Sequence, residues 1–184
     1  MSDHMDEAEI KMDDAVEYAK EEFAAIRTGR AHPAMFSKLT ADYYGAQTPL
    51  QQLATFQVPE ARMVLITPFD KSSMNAIEKA IRDSDLGVNP ANDGNVIRIV
   101  LPQLTEDRRK EYIKLARTKA EDARISIRNA RRQAKEAIDK LVKDSEVGED
   151  EAARAEKALD ALTRKHTDVI DEVLKGKEAE LLEV

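Results

Sequence analysis

Apolar positions recur at steps of three and four through Ile113, Ala116, Ala120, Ala123, Ile127, Ala130, Ala134, Ala137 and Leu141. That spacing places all of them on one stripe of an α-helix. The same rhythm runs through Met5, Ala8, Met12, Ala15, Ala19, Phe23 and Ile26, and again through Ala152, Ala155, Leu159, Leu162, His166, Val169 and Val173. Each stretch predicts a long amphipathic helix whose stripe needs partners, and three such helices satisfy one another as a three-helix bundle. Alanine dominates the middle seam; its small side chain lets helices approach closely, and it is the strongest helix former. The second and third helices are separated by Asp144-Ser145-Glu146-Val147-Gly148-Glu149, a length that suits an antiparallel connection. At 1.5 Å per residue, the segment 105–142 reaches about 55 Å, so the expected bundle is an elongated rod.

The pattern changes between these helices. All six prolines, at 33, 49, 59, 68, 90 and 102, fall there, and proline breaks a helix interior at a cost of roughly 3 kcal/mol. Alternation at Leu39, Ala41 and Tyr43, and the branched apolar runs Met63 to Thr67 and Val96 to Leu101, predict strands. Between the last two, Met74, Ile77, Ala80 and Ile81 have helical spacing, with Ser72 or Ser73 to cap the start and Gly87 with Asn89-Pro90 to end it. Asn92-Asp93-Gly94 predicts a tight turn. The expected fold class is α+β: residues 1–29 and 105–184 form a discontinuous bundle domain, and 30–104 form a small inserted β/α/β domain. Two short connections join them, one through Thr28, Gly29 and Arg30, the other through Pro102, Leu104 and Thr105. They read either as a two-strand hinge or as a rigid elbow.

Composition removes several chemistries. The 184 residues include no Cys and no Trp, so no disulfide framework or thiolate nucleophile exists, and a reducing, cytoplasmic setting is expected. No apolar run exceeds four residues, far short of the ~20 needed to cross a membrane, and the acidic start lacks the basic flank of a signal peptide. The six glycines are scattered, without a phosphate-binding fingerprint. His4, His32 and His166 have no second histidine or cysteine at ligand spacing, and His166 reads as a hydrogen-bonded core histidine. We therefore expect no active site, no cofactor and no metal.

Charge adds the one constellation above background. The net charge is −7, but it is segregated. Residues 1–30 hold 4 basic and 9 acidic groups, a net −5; residues 31–104 hold 6 and 7, a net −1. Residues 105–142 hold 12 and 7, a net +5, and residues 143–184 hold 7 and 13, a net −6. On the basic helix Lys110, Lys114, Arg117, Arg124, Arg128, Arg131 and Lys135 recur at helical spacing, interrupted by Glu121, about 100° around from the alanine seam. Arg132 and Lys119 add to the same region. One reading is a row of interhelical ion pairs with the acidic neighbours. The other is a phosphate-facing stripe, because arginine is suited to bidentate phosphate recognition. Tyr112 is the one aromatic nearby, which favours backbone and shape recognition of structured RNA over base stacking. A cytosolic adaptor or chaperone whose bundle binds protein partners is the alternative class.

Several runs resemble the bacterial ribosome recycling factor family. They are Ile26-Arg27-Thr28-Gly29-Arg30-Ala31-His32-Pro33, Asp42-Tyr43-Tyr44-Gly45 with Thr48-Pro49-Leu50, Ser84 through Pro90, Leu101 through Arg109, and Arg128-Asn129-Ala130-Arg131-Arg132. The resemblance covers the whole chain. It implies an L-shaped, monomeric, non-enzymatic translation factor whose bundle lies on large-subunit rRNA of the post-termination 70S ribosome. With elongation factor G, which binds and hydrolyses GTP, such a factor separates the subunits and releases mRNA and tRNA. Carried over by motif, Arg131 is the leading rRNA contact, with Arg128, Arg132, Arg124 and Arg117 on the stripe and Arg27 and Arg30 in the first connector as lesser candidates. The inserted domain would be the part that elongation factor G pushes.

Overall fold

The computed structural model describes residues 1–183, and the chain divides into two compact units. The first comprises residues 1–23 and 113–179, the second residues 24–112 and the described residues from 180 onward. Five α-helices, two short 3-10 turns (Pro33–Phe36 and Lys71–Ser73) and six strands are present among the described residues.

The first unit is built from three long helices: α1 (Ser2–Ala24), α4 (Glu106–Lys143) and α5 (Glu149–Leu182). Lys11 Nζ donates to Gln133 Oε1 at 2.8 Å and Lys119 lies 3.5 Å from Glu22, so α1 and α4 run antiparallel. Arg117 pairs with Glu178 and Arg131 with Asp160, so α4 and α5 are antiparallel too. The seam of α4 is buried at Ala116, Ala120, Ala123, Ile127, Ala130 and Ala134, as its period requires, and then steps to Ile138; Ala137 and Leu141 are only half-buried. An α-helix drifts by ~20° per heptad against a strict seven-residue repeat, and a four-residue step restores the alignment. On α5 the same drift buries Ile170 in place of Val169. The α4–α5 turn closes with Ser145 at φ 56°. Ser145 N–H donates to the Val142 carbonyl and Glu146 N–H to the Leu141 carbonyl, a Schellman closure in which serine takes the usual glycine position.

His166 is buried, held between the Leu162 carbonyl oxygen, 2.8 Å from Nδ1, and Asp13 Oδ1 on α1, 2.6 Å from Nε2. It is the core histidine expected from its seam position. The alanines leave no slack: Ala116, Ala120 and Ala123 have no exposed surface. Ala123→Leu is therefore expected to cost about 1–3 kcal/mol through overpacking, read as a lower denaturant midpoint. Asn129→Leu, at an exposed position on the same helix, is expected to stay within ~0.5 kcal/mol.

The second unit packs sheet against helix. Its hairpin joins β1 (Thr40–Tyr43) to β2 (Ala46–Pro49), with Tyr44 and Gly45 both at positive φ in the two-residue turn, the geometry that matches strand twist. A one-turn helix, α2 (Leu50–Leu53), leads into β3 (Ala54–Glu60) and β4 (Met63–Pro68). Then follow α3 (Met74–Arg82), β5 (Ala91–Asn92) and β6 (Ile97–Val100). The main sheet is antiparallel in the order β3-β4-β6-β5. Val64 and Ile66 of β4 oppose Ile99 and Ile97 of β6, and all four are fully buried. Ile77 and Ile81 of α3 join them in one core with Phe36 and Leu50. Ser73 stands at the N-cap position of α3, as expected, but makes no side-chain capping bond; Asp70 caps the 3-10 turn Lys71–Ser73 that leads into the helix, accepting from Ser72 N–H at 2.9 Å. The helix ends at Arg82, before Gly87, where Ser84 Oγ donates to the Ile81 carbonyl at 2.6 Å.

Candidate nucleic-acid interface

Helix α4 carries the site because nothing in it interrupts a helix: residues 103–147 hold no proline or glycine. Thr105 Oγ1 accepts from Arg108 N–H at 3.1 Å, satisfying one of the unpaired donors at the start. Glu106 and Asp107 in the first turn and Lys140 and Lys143 in the last complement the helix dipole. At 3.6 residues per turn, Arg117, Arg124, Arg128, Arg131 and Arg132 fall within about 100° of arc.

The row divides into two kinds of arginine. Arg117, Arg124 and Arg131, each a heptad apart, reach across to α5. Arg117 Nε donates to Glu178 Oε1 at 2.8 Å, Arg124 Nε to Asp171 Oδ1 at 2.9 Å, and Arg131 Nε to Asp160 Oδ1 at 2.7 Å. Lys135 continues the row, 3.9 Å from Glu156 and 3.0 Å from Asp139. Arg128 and Arg132 pair only along α4, with Glu121 at 2.7 Å and Glu136 at 3.4 Å, and stay 56% and 63% exposed. The ion-pair and outward-stripe readings thus each describe part of the row. The acids on α5 were not singled out from the sequence; their spacing of 11 and 7 residues (160, 171, 178) is the helical recurrence that marks one face.

The charges reinforce one another. Glu121 is held below the usual carboxylate range, first by its hydrogen bond from Arg128 and then by Arg124. Glu178 raises the proton affinity of Arg117 through its hydrogen bond, and Asp139 followed by Glu156 does the same for Lys135. Glu121 therefore stays ionised beside Arg128 and Arg124.

Arg27 does not join the row. It lies in the second unit and is only 5% exposed. Its guanidinium donates to the carbonyls of Leu86 and Pro102, while its Nε has no partner. Burial pushes its pKa down. An arginine enclosed this way ties loops together. Of the connector residues, Thr28 is buried, with its hydroxyl bonded to the Arg30 backbone, and Arg30 lies 3.8 Å from Glu183. Leu104 is buried, Pro102 accepts from Arg27, and Thr105 caps α4. Gly29 has room for a Cβ, 3.9 Å from the Glu183 carbonyl oxygen.

Among the described residues no cluster of His, Asp or Glu is arranged to hold a metal ion, and no helix is long and apolar enough to cross a membrane.

Comparison with known proteins completes the picture. The family model described as ribosome recycling factor matches residues 19–182. The ribosome-recycling factor of Kineococcus radiotolerans is 70% identical over 184 residues, covering 100% of both chains. That of Streptomyces avermitilis is 70% identical over 178 residues, 97% of this chain and 96% of the relative. A solution structure of ribosome recycling factor is 44% identical, with a TM-score of 0.78, covering 100% of this chain and 97% of that one. A Thermus thermophilus factor, from models of that factor and Escherichia coli elongation factor G bound to the E. coli post-termination complex, is 40% identical, with a TM-score of 0.70, covering 99% and 98%. Sequence along nearly the full length and architecture agree: the chain belongs to the ribosome recycling factor family.

Proposed function

We propose that this chain is a cytoplasmic translation factor that recycles ribosomes. It binds the post-termination 70S ribosome through large-subunit rRNA and, with elongation factor G and the GTP bound by that partner, promotes subunit separation and release of mRNA and tRNA. The carrying observation is the full-length likeness, at 70% identity, to a relative named for this activity. The chain itself supplies binding and shape: Arg131, Arg128, Arg132, Arg124 and Arg117 contact rRNA phosphates, and the α4 surface follows backbone and groove without reading bases. Any energy from nucleotide hydrolysis belongs to the partner.

We place the hinge at the paired connections, Thr28, Gly29 and Arg30 in one and Pro102, Leu104 and Thr105 in the other. Motion about them would let the inserted domain answer a push while the bundle stays on rRNA. Polysomes incubated with elongation factor G and GTP are expected to collapse to subunits when this protein is added and to persist when it is left out; an unchanged profile refutes the function. In the same assay, cross-linking the two connections is expected to spare large-subunit binding and to suppress separation. Full separation by the cross-linked protein would remove the hinge. A protein adaptor, by contrast, would not sediment with large subunits.

A further inference from the structure

Three arginines on α4 are engaged in the same unusual way. Arg117, Arg124 and Arg131 each give their Nε to one carboxylate oxygen of α5. In two of them the same oxygen also sits against Nη2: Asp171 Oδ1 is 2.6 Å from Arg124 Nη2, and Asp160 Oδ1 is 2.7 Å from Arg131 Nη2. A carboxylate that only neutralised a guanidinium would take the two-oxygen fork. Here it holds the guanidinium from one side. Among the described residues, Nη1 of Arg131 and both Nη atoms of Arg117 donate no hydrogen bond, and Nη1 of Arg124 reaches only Glu121, at 3.3 Å. The row repeats every seven residues, about 10.5 Å along the helix. Asp160 and Asp171 themselves remain 54% and 53% exposed beside the row.

We propose that Asp160, Asp171 and Glu178 are specificity-determining and positioning residues for RNA. They hold the arginines by the Nε side, leave Nη1 of Arg131 and both Nη atoms of Arg117 open to phosphate, and repel any polyanion whose phosphates do not land on those atoms. Flexible or unstructured RNA presents phosphates at every spacing and meets the acids as often as the arginines. A rigid RNA surface matched to the row meets the arginines alone. Opposed charge of this kind discriminates by penalising the wrong partner. The proposal rests on the assignment of the α4 face to rRNA.

The test uses the full-length protein carrying Asp160→Asn, Asp171→Asn and Glu178→Gln together, isosteric changes that keep the side-chain shape. Binding is measured to isolated large subunits and to poly(U) over a salt series. The ratio of the two affinities is expected to fall at least tenfold, through a gain on poly(U), and the salt slope on poly(U) to steepen by about 2, from ~0.7 per added phosphate contact on a single strand. Asp160→Glu, which keeps the charge, is expected to retain the wild-type ratio. A control triple, Asp6→Asn, Glu9→Gln and Asp14→Asn, removes the same charge from exposed positions of α1 and is expected to lower the ratio by less than threefold. An unchanged ratio in the α5 triple, or an equal fall in the control, overturns the proposal alone. Wild-type binding of Arg131→Ala to large subunits overturns the rRNA face and this proposal with it.

Discussion

Arg131→Ala is expected to weaken binding to isolated large subunits by about ten- to a hundredfold. A hydrogen bond to a charged group contributes roughly 1.5–3 kcal/mol, and the guanidinium is held by Asp160 with its Nη1 uncommitted. Folding should not suffer, because an exposed ion pair contributes only ~0–1 kcal/mol. Arg131→Lys keeps the charge without the planar fork and is expected to fall between the two. The measurement is co-sedimentation over a salt series: the Arg131→Ala defect should be large at every salt, with a slope lower by about one phosphate contact. Equal binding of wild type and variant at matched salt excludes Arg131 from the interface.

Arg27→Ala is expected to do the opposite, destabilising the fold by about 2–4 kcal/mol while leaving large-subunit affinity within about twofold. Removing the guanidinium strands the buried Leu86 carbonyl, at roughly 1–3 kcal/mol, takes a donor from the carbonyl of Pro102, an exposed residue, and empties the space the aliphatic stem fills. For a unit of this size the melting temperature should drop by about 10 °C or more. Arg27→Met restores the stem without the donors and separates packing from hydrogen bonding. Wild-type stability in both variants would mean that the two carbonyls find other partners, and loss of ribosome binding by a stably folded variant would return Arg27 to the interface.

These two arginines show where sequence reading succeeds and where it stops. Both lie in the motifs that carry the family resemblance. Arg131 recurs with Arg124 and Arg117 on a helical face, so its position around the helix follows from period alone. Arg27 lies just beyond α1, where periodicity has ended, and its acceptors are 59 and 75 residues away. The inserted unit repeats the contrast. β4 and β6 are dense in branched apolar residues and legible. β2 and β3 hold Gln47, Gln57, Val58 and Pro59 at exposed positions, and they are strands because neighbours complete their backbone hydrogen bonds, not because of a buried face. The step from Ala134 to Ile138 was hidden for a third reason: helix drift accumulates over the whole seam.

The sequence by itself determined the three helices, their alanine seam, the inserted α+β segment, the segregation of charge and the family. Each of these is written in local spacing, in proline placement or in motifs that stay contiguous along the chain. Only the tertiary structure decided which arginines are held by acids of α5, that Arg27 is enclosed and how the strands are ordered. Those outcomes depend on side chains brought together from distant positions, where burial and hydrogen-bond geometry choose among partners that local chemistry leaves equivalent.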